Sequence, residues 1–301
     1  MELRNVLFAT DFSDASEAAL RYVTALSLRY GSVIHLAHVL ADVTFLRPGA
    51  PDPAFIGSIY EDAHSGAQEK MQRLSDRLKG FPHVAYVRHG ETCQVLAEIV
   101  GEQQIDLLIA GTHGRTGLGK LVMGSVAEEI LRQVSCPVLT IGPKVVGTVV
   151  PESRRDRELP PAQINVRQVL YATDFKQESQ EAFRYALSLA REFRARLALL
   201  HVIETYGDQP YEHPGTIDNS LSRLRALLPE DAGLRYPPEI LAEFGSPADC
   251  ILQTAADREV DMIVLGVRSA DGHLGSATHF GGAVAHKVIV GAHCPVLTVR
   301  N

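Results

Sequence analysis

Cysteine is scarce: four in 301 residues, none of them in a C-x-x-C pair. That argues against a disulfide framework and against a cysteine-based zinc site, and it fits a reducing compartment. Long apolar runs are missing as well. None approaches the roughly 18 residues needed to span a bilayer, and Met1-Glu2-Leu3-Arg4 leads straight into a strand-like segment rather than a signal peptide. The expected location is therefore cytoplasmic, without a membrane partner. Positive charge is not in excess, since 29 basic residues against 36 acidic ones leave a net charge of −7. No global field draws the chain onto nucleic acid, and an anionic ligand has to be held locally. A phosphate loop of the form G-x4-G-K-[ST] is absent too, so a dedicated nucleotide hydrolase is not evident.

What is present is a duplication. Hydrophobic residues make up 46% and charged residues 22%, ordinary values for a packed chain, and the length suggests two domains. Val6-Leu7-Phe8-Ala9-Thr10-Asp11-Phe12 returns as Val169-Leu170-Tyr171-Ala172-Thr173-Asp174-Phe175, and the register carries without a gap to His38-Val39 and His201-Val202, with 14 identities in 34 positions. Asp106-Leu107-Leu108-Ile109-Ala110-Gly111 recurs as Asp261-Met262-Ile263-Val264-Leu265-Gly266, and Cys136-Pro137-Val138-Leu139-Thr140 as Cys294-Pro295-Val296-Leu297-Thr298. Between the copies, Arg154-Arg155-Asp156-Arg157-Glu158 and Pro160-Pro161 have linker composition. The expected domains are 1–145 and 165–301, joined by a linker over 146–164.

Each copy alternates short apolar runs with helical periodicity. In the first, strands are expected at Val6–Ala9, Val33–Val39, Val84–His89, Leu107–Ala110 and Val138–Ile141. A helix follows the capping run Ser13-Asp14-Ala15-Ser16-Glu17, and others are expected at Ser65–Leu78, Thr92–Glu102 and Ser125–Gln133. Ala41 to Ser65, rich in proline and glycine, reads as a long loop and a candidate lid. Strands alternating with helices join by right-handed crossovers into parallel sheets, so the expected fold is α/β: two tandem doubly wound, Rossmann-like domains, each a five-stranded parallel sheet flanked by helices. Ligands bind such sheets at the carboxyl ends of the strands.

Gly111 follows the fourth strand, Gly114 comes next, and Gly124-Ser125 opens the last helix, giving G-x2-G-x9-G-S. Glycines let backbone approach a phosphate, a helix amino terminus offers N–H groups, and Ser125 can cap the helix or offer its hydroxyl to an oxygen. Arg115 and Lys120 lie in the spacer and can neutralise phosphate charge; His113 sits between two of the glycines. Asp11, at the end of the first strand, faces the expected crevice and can accept hydrogen bonds from ribose hydroxyls, or it can cap the helix, although Ser13 and Asp14 are better placed for capping.

Taken together, Ala9-Thr10-Asp11-Phe12-Ser13, His38-Val39, Gly111-Thr112-His113-Gly114-Arg115, Gly124-Ser125-Val126-Ala127 and Cys136-Pro137-Val138-Leu139 resemble the universal stress protein family, in its tandem form, over nearly the whole chain. The resemblance implies an ATP-binding stress-response or signalling protein with adenine nucleotide as its partner, and Mg2+ as a companion ion. It places Ala9, Thr10, Asp11 and Val39 near adenine and ribose, Gly111, His113, Gly114 and Arg115 near ribose and phosphates, and Gly124, Ser125 and Val126 at the phosphate tail. It also implies that the last strands, Val138–Ile141 and Val296–Val299, pair edge to edge, so that the two copies form a pseudo-dimer within one chain; two chains can associate further as a homodimer.

The second copy departs from the pattern. Gly266 is followed by Val267-Arg268-Ser269, Gly282 stands 16 residues after Gly266 where Gly124 stands 13 after Gly111, and Ala283 replaces Ser125. A Cβ at the phosphate approach and a longer loop undermine the same geometry, so one working site per chain is expected, in the first copy. His273, His279 and His286 lack the helical spacing and carboxylate partner of a metal site, and none is expected. The cysteines read as small buried hydrophobes and His38 and His201 as satisfied polar groups. The leading reading is a nucleotide-dependent sensor without assigned catalytic residues. A slow adenine-nucleotide hydrolase is the alternative, as is a scaffold whose second domain binds another ligand.

Overall fold

In the computed structural model, the described residues are 2–41, 53–112, 123–145, 164–204, 216–267 and 284–300, the side chains of 53–56 and 178 excepted. Among them the first copy runs β1 (Asn5–Ala9), α1 (Asp14–Tyr30), β2 (Val33–Leu40), α2 (Pro53–Arg77), β3 (His83–His89), α3 (Thr92–Glu102), β4 (Leu107–Gly111), α4 (Ser125–Gln133) and β5 (Val138–Ile141). The second repeats it as β6 (Gln168–Ala172), α5 (Gln177–Phe193), β7 (Arg196–Glu204), α6 (Thr216–Ala226), β8 (Glu239–Gly245), α7 (Pro247–Asp257), β9 (Met262–Val267), α8 (Val284–Gly291) and β10 (Val296–Arg300).

All ten strands form one sheet in the order β3-β2-β1-β4-β5-β10-β9-β6-β7-β8. Pairing is parallel within each copy, and β5 meets β10 antiparallel, with Leu139 opposite Leu297. The junction is reinforced by side chains: Thr140 Oγ1 donates to the Val296 carbonyl at 3.0 Å and Thr298 Oγ1 to the Val138 carbonyl at 3.2 Å. Strand alternation explains the layers. On β1, Val6 and Phe8 enter the core beneath α1 and α2, whereas Leu7 points to the opposite core with α3 and α4. Both cores continue across the junction into the second copy.

Helix boundaries follow from local chemistry. Ser13 caps α1, accepting from the Ser16 N–H, and Gly31 ends the helix in the left-handed region at φ 69°. Ala19, Leu20, Val23 and Leu26 are its buried face. The expected long loop over Ala41 to Ser65 is corrected by α2, which begins at Pro53 rather than Ser65. Proline is tolerated in a first helical turn, where its missing N–H has no partner to lose. Gly57 weakens the helical signal without stopping the helix. The remaining part of that expected lid, 42–52, and the linker from residue 146 to 163 lie outside the described residues.

Candidate functional site

In each copy the strand order reverses between its first and fourth strands, β1 and β4 in the first copy, and the carboxyl ends of such a pair bound the crevice of a doubly wound sheet. A cavity of about 240 Å³ opens there, and it brings together Ala9, Thr10, Asp11, Val39, Gly111, Gly124, Ser125 and Val126. Of the residues singled out in the sequence for this site, His113, Gly114 and Arg115 lie outside the described residues.

The turn after β1 positions Asp11. Phe12 adopts φ 60°, unusual for a bulky residue, and its N–H is held by Thr10 Oγ1 at 3.0 Å. Its ring packs on His38 with centroids 4.5 Å apart. His38 Nδ1 lies 2.7 Å from the Thr10 carbonyl, which can only accept, so this nitrogen carries the proton. Asp11 Oδ1 accepts from the Ser13 N–H at 3.0 Å and from Ser16 Oγ at 2.7 Å. Burial pushes the Asp11 carboxyl up, but the hydrogen bonds from Ser13 and Ser16 together outweigh it and hold the carboxyl below its ordinary value. An ionised, half-buried carboxylate thus sits at the cavity wall. The turn recurs in the second copy, where Phe175 has φ 62° and His201 Nδ1 lies 2.8 Å from the Thr173 carbonyl.

Across the cavity stands the amino terminus of α4. Gly124 occupies the N-cap position and has no side chain to cap the helix, and its N–H donates to the Thr112 carbonyl at 2.9 Å. The cap residue therefore supplies no side-chain acceptor to the first backbone N–H groups, which lie at the positive end of the helix dipole. Ser125 is the first helical residue rather than the cap, and it lines the cavity. Gly111 has a packing reason for being glycine: a Cβ there would lie 2.8 Å from the carbonyl carbon of Ala15, at the start of α1.

Ser16, Thr92, Leu96, Thr112 and Ile130 also line the cavity and were not singled out from the sequence. Ser16 could have been found from its place five residues after Asp11 in the capping run; Thr92 and Leu96 needed knowledge of how α3 leans over the sheet. Near Thr92, ligand atoms of Glu91, Cys93 and Glu129 cluster within 4.8 Å of one another. Glu91 is the N-cap of α3, accepting from the Cys93 and Gln94 N–H groups. Burial, with Glu129 and Glu91 beside it, pushes the Cys93 thiol up to about 12. Glu91 is engaged in capping α3, and Cys93 packs against α4, its Sγ 3.7 Å from the Val126 carbonyl.

A second cavity of about 390 Å³ occupies the equivalent place in the second copy, with Asp174, Val202 and Gly266 on its wall. Asp174 Oδ1 accepts from the Lys176 N–H at 3.0 Å and from Ser179 Oγ at 2.7 Å. Its other oxygen pairs with Lys176 Nζ at 2.8 Å, a contact that serine at the matching position, Ser13, cannot make. Arg268, His273, His279, Gly282 and Ala283 lie outside the described residues. Cys93, Cys136 and Cys294 are buried as expected; Cys250 is only partly so. No helix among the described residues is long and apolar enough to cross a membrane.

The family model described as the universal stress protein family matches residues 2–142 and 165–300. A universal stress protein of Mycolicibacterium smegmatis is 28% identical over 307 residues, covering 98% of this chain and 96% of that one. The universal stress protein MJ0577 of Methanocaldococcus jannaschii is 26% identical over 152 residues, covering 46% of this chain and 94% of its own. Among solved structures, a universal stress protein from Archaeoglobus fulgidus superposes with a TM-score of 0.69 at 20% identity, over 100% of this chain and 97% of that one. With two matched regions that together take in both halves of the sheet, the chain belongs to the universal stress protein family, as a tandem of two family domains.

Proposed function

We propose that the chain binds ATP at one site, in the first half, and acts as a nucleotide-dependent sensor in stress response or signalling. The observation that carries this reading is the α4 amino terminus, whose cap residue is glycine and which lines the same cavity as Asp11. Helix N–H groups favour an anion at one end, and an ionised carboxylate favours hydroxyl donors at the other. At about 240 Å³ the cavity is smaller than pockets that enclose a whole drug-sized ligand. The nucleoside end would be held inside, between Asp11, Val39 and Leu96, with the phosphates towards Gly124, Ser125 and Val126. Asp11 is the one carboxylate among the described lining residues, so an accompanying Mg2+ would be held chiefly by the phosphates.

The test begins with denaturing purified protein and identifying any released nucleotide, then titrating ATP into the wild type, Val126→Glu and Val284→Glu. Val126 is 42% exposed in the first turn of α4, so a carboxylate there is tolerated by the helix dipole yet occupies the anion position. The expected result is about one ATP per chain, weakened about tenfold or more by Val126→Glu and unchanged by Val284→Glu, its counterpart in α8. Absence of binding in the wild type, or indifference to Val126→Glu, overturns the reading. Phosphate release that needs Mg2+ would move it towards the slow hydrolase.

A further inference from the structure

At the β3 edge of the sheet two histidines from different elements meet head on. His64 Nδ1, on α2, lies 2.9 Å from His89 Nε2, at the end of β3. The ring planes are 21° apart and the centroids 5.1 Å. That separation is about the nitrogen gap plus the two ring radii, so the facing nitrogens lie near the line joining the rings and each points at the other. Face-to-face stacking is therefore not what brings them together. One proton fits between two nitrogens so placed, and with both rings neutral one nitrogen donates while the other offers its lone pair. Tyr60, one turn before His64 on the same helix, packs its ring on His89 with centroids 5.9 Å apart.

Neutral imidazole is the commonest metal ligand, and two of them held by separate elements make a chelate. With metal–nitrogen distances of about 2.0–2.1 Å and a tetrahedral angle, two bound nitrogens stand about 3.3 Å apart. The pair reaches that spacing by opening about 0.4 Å and tilting. His89 is exposed and His64 half-buried, which leaves room for the movement. The local charge suits a cation, since Glu61 lies one turn before His64 and the neighbouring Arg88 is matched by Glu102 at 2.6 Å. Among the described residues no third histidine, cysteine or carboxylate atom completes a group with the pair. Water then fills the remaining positions, which makes an open, exchangeable site rather than a closed structural one. The pair belongs to the first half: Phe244 stands where His89 does, each just before a glycine of positive φ, Gly245 at 145° and Gly90 at 136°.

We propose that His64 and His89 form a binding site for a divalent first-row transition metal, the ion taking the place of the shared proton. It would tie α2 to the end of β3, three residues before Thr92 of the first cavity's wall. The probe is Zn2+, titrated by calorimetry into the untagged full chain without nucleotide, so the outcome is independent of the ATP reading. The expected result is a saturable site weakened about tenfold or more by His64→Gln and equally by His89→Phe, because a single imidazole loses the gain of the linked pair. The double variant should bind no more weakly than either single one, since one chelate is lost only once. His286→Gln, in α8, should leave the site unaltered, and Mg2+, which prefers oxygen ligands, should not compete. In side-chain nitrogen NMR, Zn2+ should move two ring signals, the ones missing from the two variants. Equal thermal midpoints without metal show that the variants fold; should His64→Gln lower it, His89→Phe, which carries the second half's own residue, and the NMR signals decide. The proposal is overturned by the lack of a saturable Zn2+ site. Indifference of that site to either substitution overturns it too, as do losses that add in the double variant.

Discussion

At the scale of single residues, Asp11 joins fold to site, because the carboxylate that faces the cavity also closes the turn into α1. Its folded-state pKa is lowered, so ionisation favours the folded chain. That contribution is complete above the ordinary carboxylate range and is lost as pH falls through the lowered value. Asp11→Asn should cost about 1 kcal/mol at neutral pH, the worth of a hydrogen bond to a partly exposed charged acceptor, with the difference from wild type vanishing in acid. Urea denaturation of both proteins across pH 2 to 7 checks this; a difference that persists in acid would mean that shape, not charge, matters. Gly111 carries a second expectation. Gly111→Ala should lower stability by about 1–3 kcal/mol, because its Cβ would meet the backbone of Ala15. A fall in the urea midpoint at unchanged slope would show it. The sequence reading valued Gly111 for ligand approach. Its packing against α1 was not legible, because which helix crosses which strand end is a tertiary fact. His38 was legible as a satisfied group, since a histidine at a strand end commonly finds a local carbonyl.

At the scale of elements, most of the fold could be read because the strands are buried on both faces and appear as continuous apolar runs, as in Leu107-Leu108-Ile109-Ala110. Helices α3 and α4 were placed by the alternation of helical periodicity with the apolar strands. The start of α2 was not, since Pro53 and Gly57 resemble loop punctuation when no partner surface is known. The left-handed turns at Phe12 and Phe175 were equally hidden, because nothing in the residue type announces positive φ. Strand β5 is the element whose neighbour matters most. In the full chain β10 covers its edge. A fragment of residues 1–145 would expose that edge, and an uncovered apolar strand seeks another. Light scattering should find the fragment dimeric. Thr140→Pro in the same fragment removes a ladder donor and should shift it to monomer or to disordered aggregate. A monomeric wild-type fragment would show that the β5 edge is not adhesive by itself.

At the scale of the whole molecule, the two halves are tied by more than one ladder. Tyr30 Oη donates to Glu192, the Arg29 guanidinium lies 4.2 Å from the centre of the Phe193 ring, and Gly142 approaches Ile289 so closely that a Cβ there would lie 2.9 Å from its carbonyl oxygen. Each side of the sheet buries one apolar core that runs through both halves. Unfolding one half would therefore expose part of the other's core and leave β5 or β10 unpaired. Such a chain should unfold in a single cooperative step although it contains two family domains. This turns ligand binding in one half into a statement about both. A ligand at 100 times its dissociation constant stabilises the folded state by about 2.7 kcal/mol, and in a coupled molecule that gain applies to the single transition. Calorimetry with and without ATP should show one peak that moves upward as a whole, and Val126→Glu should cut the movement to about half or less without lowering the starting temperature. Two peaks, only one of which responds, would mean that the continuous sheet does not couple the halves. A nucleotide signal received in the first half would then have no route through the fold to the second cavity.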